Sequence, residues 1–132
     1  MKPTLDAIGV IVTDMERTLR FYRHLGLEFP DGAGKEGHVE AVLPNGLRIM
    51  FDTEDLMRSF DDGFRSPAAP GRVSLAFLCE SPAEVDALHA VVVEDGFDSH
   101  LAPFDAFWGQ RYATILDPDG THVDLFATLE AA

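Results

Sequence analysis

One pattern is used twice in this chain, and that repetition limits the folds open to it more than any other feature. LDAIGVIVTD at 5–14 and RVSLAFLCES at 72–81 are apolar strands that each run into a helix N-cap residue, Asp14 and Ser81. DMERTLRFYRHLG then sets Met15, Leu19, Tyr22 and Leu25 along one helical stripe, with Phe21 at its edge and Gly26 as the stop. SPAEVDALHAVVVEDG repeats the event: Pro82 takes the first helical position, Val85, Leu88 and Val92 share a face, and Gly96 ends it. HVEAVLPNGLRIMF at 38–51 and YATILDPDGTHVDLF at 112–126 each place a Pro-Asn/Asp-Gly turn between two alternating strands.

A pattern that recurs once, about seventy residues on, predicts an α+β fold of two tandem βαβββ modules forming cupped mixed sheets with helices outside. Module one covers 1–52, a connecting segment 53–71 and module two 72–128. With 132 residues and 46% apolar content the chain has room for one core or two closely packed halves, so both modules are expected within a single domain over 1–132. Residues 28–37, EFPDGAGKEG, predict one short weak strand and then a Gly-rich turn. The connecting segment is long for a compact domain and reads as a linker, with a short helix around Glu54–Phe60, or as a lid over a site.

Side chains alternate along strands and opposite partners share a side, so each hairpin sorts its residues between two faces. In the first, Leu43 should oppose Leu47, Ala41 Ile49 and Val39 Phe51, a wholly apolar face suited to covering helices. The other face carries His38, Glu40, Arg48 and Met50. In the second hairpin Ala113, Ile115, Val123 and Leu125 are the apolar set, and Tyr112, Thr114, His122 and Asp124 the polar one. On the opening strands Ile8, Val10 and Val12 alternate with Ala7, Gly9 and Ile11, and Val73, Leu75 and Phe77 with Ser74, Ala76 and Leu78. Mostly small residues beside polar ones describe a face that can hold a guest; the alternative is a sheet face open to water.

Twenty-three acids against ten bases give a net charge of -13, which repels phosphate backbones and anionic lipid surfaces. Nucleic acid and membrane are therefore not expected partners. The same charge draws cationic ligands, and it also serves solubility. Cys79 is the only cysteine, in an apolar strand, so an intrachain disulfide is impossible and a structural thiol is expected. With no basic-then-apolar leader at Met1 and no apolar run near eighteen residues, a cytoplasmic protein is expected.

No Ser-His-Asp spacing, nucleophile elbow, phosphate-binding Gly loop or CxxC pair occurs, so no catalytic residue is assigned. Phe104, Phe107 and Trp108, followed by Arg111, offer flat apolar surfaces to a planar or cationic organic molecule, or else close the core or a subunit interface. Arg111 is expected to pair with Asp105 or Asp117. His24, His89 and His100 read as surface or packing residues.

Four features together resemble the vicinal oxygen chelate superfamily, which includes glyoxalase I, extradiol dioxygenases and bleomycin-resistance-type proteins. They are the doubled βαβββ order, the Gly9–Asp14 strand-to-helix entry, the Leu19-x-Phe21-Tyr22 helix, and Trp108-Gly109-Gln110-Arg111 ahead of Asp117-Pro118-Asp119-Gly120. The resemblance implies a homodimer, in many relatives with modules combined across chains so that each crevice is lined by both subunits. It also implies one metal ligand from the first and last strand of each module, which here falls on Ala7, Met50, Ser74 and Asp124. Methyl, thioether and hydroxyl groups do not replace imidazole and carboxylate around a divalent cation, so no metal and no cofactor are expected.

A relocated site from His122, Asp124, His38 and Glu40 is the alternative. Residues two apart on a strand lie about 6–7 Å apart along it, and Arg48 near Glu40 favours an ion pair over a cation site. The expected function is metal-independent binding or sequestration of a small aromatic or hydrophobic molecule, as in antibiotic-resistance relatives. Its ligand-binding residues are Glu40, Arg48, Met50, Phe51, Phe60, Phe104, Phe107, Trp108, Tyr112, His122 and Asp124. A metal-dependent lyase, isomerase or dioxygenase centred on His122 and Asp124 is the second reading, and a module whose cleft serves only dimer assembly the third.

Overall fold

The computed structural model describes residues 1–69 and 72–130. The chain divides into two compact units, Met1–Ser66 and Pro67–Ala132, each an α+β assembly around its own mixed sheet. No helix among the described residues is long and apolar enough to cross a membrane.

In the first unit β1 (Ala7–Val12) leads into α1 (Met15–Arg23), which begins where the Asp14 carboxylate accepts the Arg17 N–H at 3.1 Å. After a single 3₁₀ turn at Ala33–Lys35 come β2 (His38–Val42), β3 (Arg48–Thr53) and α2 (Glu54–Phe60), the last at the residues the sequence marks. The strand order is β1-β3-β2: β1 runs parallel to β3 with Val10 beside Phe51, and β2 antiparallel to it with Val39 opposite Phe51 and Ala41 opposite Ile49. Those apolar residues form one face, covered by Met15, Leu19 and Tyr22 of α1; the Tyr22 ring lies 4.9 Å from that of Phe51. Each large apolar side chain sealed there contributes about 1.5–3 kcal/mol relative to exposure.

The strand expected in 28–37 does not form. Pro30 has no N–H to give a ladder, its carbonyl instead accepts the Ala33 N–H at 3.2 Å, and the chain turns through Ala33–Lys35. Gly34 lies so close to α1 that a Cβ there would stand 3.1 Å from Glu16 Cβ. Close packing against the helix, rather than a fourth strand, is what this segment supplies.

The second unit holds the full order β4 (Ser74–Leu78), α3 (Pro82–Glu94), β5 (Asp98–Ala106), β6 (Gln110–Leu116) and β7 (His122–Thr128). Its sheet runs β4-β7-β6-β5, parallel between β4 and β7 and antiparallel elsewhere. Ser81 caps α3 by accepting the Glu84 N–H at 3.1 Å, and the Glu84 carboxylate accepts the N–H of Glu80, one residue ahead of the cap, at 3.3 Å. Val85 and Val92 are sealed under the helix with Ala113, Ile115, Val123 and Leu125 of the sheet, while Leu88 is half-buried. Pro103 is tolerated because β5 is an edge strand, and β5 slips register twice, between Ser99 and Leu101 and between Leu101 and Phe104.

The hairpin turns use matching chemistry. Gly46 and Gly120 take φ of 88° and 83°, a region closed to most side chains, and a side-chain oxygen earlier in each turn holds backbone N–H groups. Asn45 accepts from Leu47 at 3.0 Å; Asp117 accepts from both Asp119 and Thr121 at 2.9 Å.

Candidate functional site

The face of the second sheet turned away from α3 has a polar centre. Asp124 stands beside Ala76 on β4 and opposite Thr114 on β6. Thr114 donates its hydroxyl to Asp124 Oδ1 at 2.8 Å. Asp124 is only 8% exposed. Burial first, then the nearby Asp124 carboxylate, push the Tyr112 phenol above its usual range.

An aromatic cluster borders this centre. Phe104 on β5 pairs with Tyr112 on β6, and their ring centroids lie 5.9 Å apart; Trp108, in the turn joining the strands, has its ring 5.3 Å from Tyr112 and 6.3 Å from Phe104. Phe107 sits 5.0 Å from Trp108 and is 97% exposed. The indole N–H donates to Gln110 Oε1 at 2.8 Å, which fixes the ring's orientation. The sequence pattern sets 104–108 just ahead of a strand; Phe104, Asp105 and Ala106 in fact end β5.

On the same face His122 meets a residue whose sequence context suggests only surface or packing: its ring is 4.7 Å from that of His100. His100 falls at the first register slip of β5, and an extra residue in a strand re-aims a side chain in a way that alternation does not reveal. Arg111 takes a partner the sequence does not suggest. It grips Asp86 of α3 through Nε at 2.9 Å and Nη2 at 3.3 Å, and Asp105 through Nη1 at 3.0 Å. Asp117, the other expected partner, has its Oδ1 engaged by the turn.

The open face of the first unit is a chain of charges. Arg48 binds Asp6 with one guanidinium nitrogen and both oxygens of Glu40 with the other, at 2.8 and 2.9 Å. His38 continues the chain, with Nε2 3.0 Å from Glu40 and Nδ1 against Asp52. The hydrogen bond to Asp52, then that to Glu40, raises the His38 pKa. Hydrogen bonds from His38 and then Arg48 hold the Glu40 carboxyl below its usual range. Glu40 and Arg48 thus satisfy each other.

One expected ligand contact needs correction. Phe51 is 0% exposed on the helix side of its sheet, packed against Tyr22 and Phe29, so it is a core residue and not a ligand contact. Phe60 is exposed at the end of α2, while Met50 lies on the open face beside Gly9 and opposite Glu40. A polar cleft of about 540 Å³ in the first unit, lined by residues including Asp14, Lys35, Glu36 and Arg58, has no counterpart in the sequence pattern. Arg58 is already paired there with Glu54 and Asp55.

The four positions that the resemblance assigns to metal ligands test poorly for that role. Ala7 has no donor atom, Met50 offers a thioether, Ser74 a hydroxyl, and Asp124 already receives the Thr114 proton. Among the described residues no three His, Cys, Asp or Glu side chains gather closely enough to hold an ion. The residues present do not fit the family's metal.

The family model of the Glyoxalase/Bleomycin resistance protein/Dioxygenase superfamily matches residues 4–125. The chain belongs to this superfamily. Among solved structures, a glyoxalase/bleomycin resistance protein/dioxygenase from Nocardioides aligns over 100% of this chain and 87% of its own, with a TM-score of 0.74 at 23% identity. A glyoxalase-related enzyme from Fulvimarina pelagi aligns over 95% and 88%, with a TM-score of 0.79 at 20% identity. A family enzyme from Burkholderia phytofirmans PsJN aligns over 96% and 100%, with a TM-score of 0.78 at 16% identity. At such identities these likenesses establish the superfamily fold and leave the chemistry to the residues. A search of curated proteins returns no match.

Proposed function

We propose that this superfamily member binds and sequesters a small aromatic or hydrophobic molecule without a metal ion and without making or breaking bonds. The observation that carries the reading is the cluster of exposed Phe104, Phe107 and Trp108 with half-buried Tyr112, beside the buried, hydrogen-bonded Asp124 on one face of the second unit. Large apolar rings left in water gain when a guest covers them, and a few fixed polar groups beside them set its orientation. The residue chemistry at Ala7, Met50 and Ser74 supports binding over metal-assisted catalysis.

Homodimerisation and a cytoplasmic, resistance-type role belong to the same proposal, and light scattering on the purified protein reads the dimer directly. The central test is a thermal-shift screen against aromatic metabolites and antibiotics, followed by calorimetric titration of any hit into wild type and Trp108→Ala. A ligand that stabilises wild type and loses affinity in the variant is expected. A wild type that no compound stabilises, or a hit indifferent to Trp108, would refute capture at this face.

A further inference from the structure

The β5–β6 hairpin that carries the aromatic cluster has a register that its backbone alone does not fix. We infer that Arg111, bound to Asp105 and Asp86, pins that register and so holds the Phe104 and Trp108 rings beside Tyr112; Arg111 is a positioning residue for the binding face proposed above, on which its purpose rests.

Strand pairing is the first ground. Ser99 pairs with Ile115, Leu101 with Thr114 and Phe104 with Tyr112, so each of the two slips inserts one extra residue into β5. An extra residue leaves the ladder locally unpaired. Pro103, just ahead of Phe104, gives no N–H to a ladder bond. With one slip lost, Phe104 would stand opposite Arg111 instead of Tyr112, and because side chains alternate it would turn from the open face to the helix side. Beyond the second slip only Phe104–Tyr112, Asp105–Arg111 and Ala106–Gln110 remain to choose between these pairings.

Arg111 makes the choice. Its Nη1 donates to Asp105 Oδ1 at 3.0 Å, straight across the pair, while Nε and Nη2 donate to the two oxygens of Asp86 on α3 at 2.9 and 3.3 Å. A planar guanidinium gripped at two points by one carboxylate has a fixed orientation, so it offers Asp105 one place to bind. In the slipped register Asp105 would face uncharged Gln110 and leave the helix side, losing Arg111. Arg111 and Asp105 lie on that side and their neighbours Tyr112 and Phe104 on the other, so a contact on one face sets the ring pair on the opposite face. The Trp108 indole follows, because it donates to Gln110, whose pairing belongs to the same register. The side chains of Arg111, Asp86 and Asp105 are 25%, 50% and 65% exposed. Pairs so exposed add little to global stability, yet they discriminate between two closely matched registers.

Trp108 is the only tryptophan in the chain, so a nitrogen–proton correlation spectrum holds one indole cross-peak. Wild type is expected to show that peak single and sharp, with a cross-strand proton contact between Phe104 and Tyr112. Arg111→Met is expected to split or broaden the peak and weaken the contact, with the urea midpoint nearly unchanged; Arg111→Lys, a point charge that reaches one acid, should fall between. Asp105→Ala, at a largely exposed side chain, repeats the test should Arg111→Met lose native circular dichroism. N-phenyl-1-naphthylamine, a neutral aromatic probe, is expected to bind Arg111→Met about two- to fivefold more weakly than wild type, the scale of one partly exposed ion pair. A single, unshifted indole peak and an intact Phe104–Tyr112 contact in the variants would overturn the pin. Probe binding that is absent from wild type, or untouched when the register changes, would count against the binding face and leave the pin standing.

Discussion

Thr114 donates its hydroxyl proton to Asp124 Oδ1 across the β6–β7 pair at 2.8 Å, where the two residues are 2% and 8% exposed. A carboxylate in that setting depends on its donors, because little water reaches it. Thr114→Val keeps the shape and removes the bond, so it should destabilise the protein by about 1–3 kcal/mol in urea unfolding, while Thr114→Ser should recover most of the loss. An unchanged unfolding midpoint in Thr114→Val would mean that water replaces the threonine at no penalty.

Metal independence has its own signature. Protein purified without a metal-affinity tag should contain no stoichiometric zinc, nickel, manganese or iron, and dialysis against a chelator should leave both melting temperature and ligand affinity unchanged. A tightly held ion at one per chain, lost together with stability on chelation, would favour the enzymatic reading instead.

The His38 chain predicts a pH dependence of defined sign. Both ring nitrogens face carboxylates, Asp52 and Glu40, so the doubly protonated imidazolium is favoured and the folded-state pKa lies above 6.5. A group raised on folding contributes stability below its unfolded pKa and loses it as pH rises through the folded value. Stability should therefore fall as pH climbs from 6.5 through the folded His38 pKa, and His38→Gln should flatten that part of the profile. The half-exposed position of His38 and solvent screening keep the effect small. A proton NMR titration placing the His38 midpoint at or below 6.5 would contradict the network.

Two glycines should respond oppositely to alanine. At Gly34 the new methyl would meet Glu16 Cβ at 3.1 Å and its Cα at 3.2 Å, and the backbone of α1 cannot yield easily. Gly34→Ala should cost about 1–3 kcal/mol. At Gly9, on the open face beside Met50, nothing lies within 4 Å of the added Cβ, so Gly9→Ala should be neutral or slightly stabilising. Paired thermal melts decide this, and equal melting points would show that the close contact at Gly34 relaxes freely.

Much of the fold is legible in the sequence because its signals are local. Asp14 and Ser81 announce their helices, Pro-Asn-Gly and Pro-Asp-Gly announce the hairpins, and the alternation around Ala41 and Ile49, or Ala113 and Leu125, sorts each hairpin into a core face and an open one. Where the molecule departs from those signals, a packing contact outweighs the local pattern. Residues 28–37 lie against α1 instead of pairing. Phe51 belongs to the core face by its register and is no ligand contact, because aromatic character alone does not tell a wall from a core.

The sequence by itself determined the recurring strand, helix and hairpin and the two faces of each sheet, since these follow from periodicity and turn chemistry; the resemblance pointed to Ala7, Met50, Ser74 and Asp124, and their residue chemistry makes them a poor set of metal donors. Only the tertiary structure decided which of those side chains meet. The perpendicular rings of Phe104, Trp108 and Tyr112, the His100–His122 contact and the grip of Arg111 on Asp86 depend on register slips in β5 and on the placement of α3. Those are set by the packing energy of many residues acting together, which no short stretch of chain encodes.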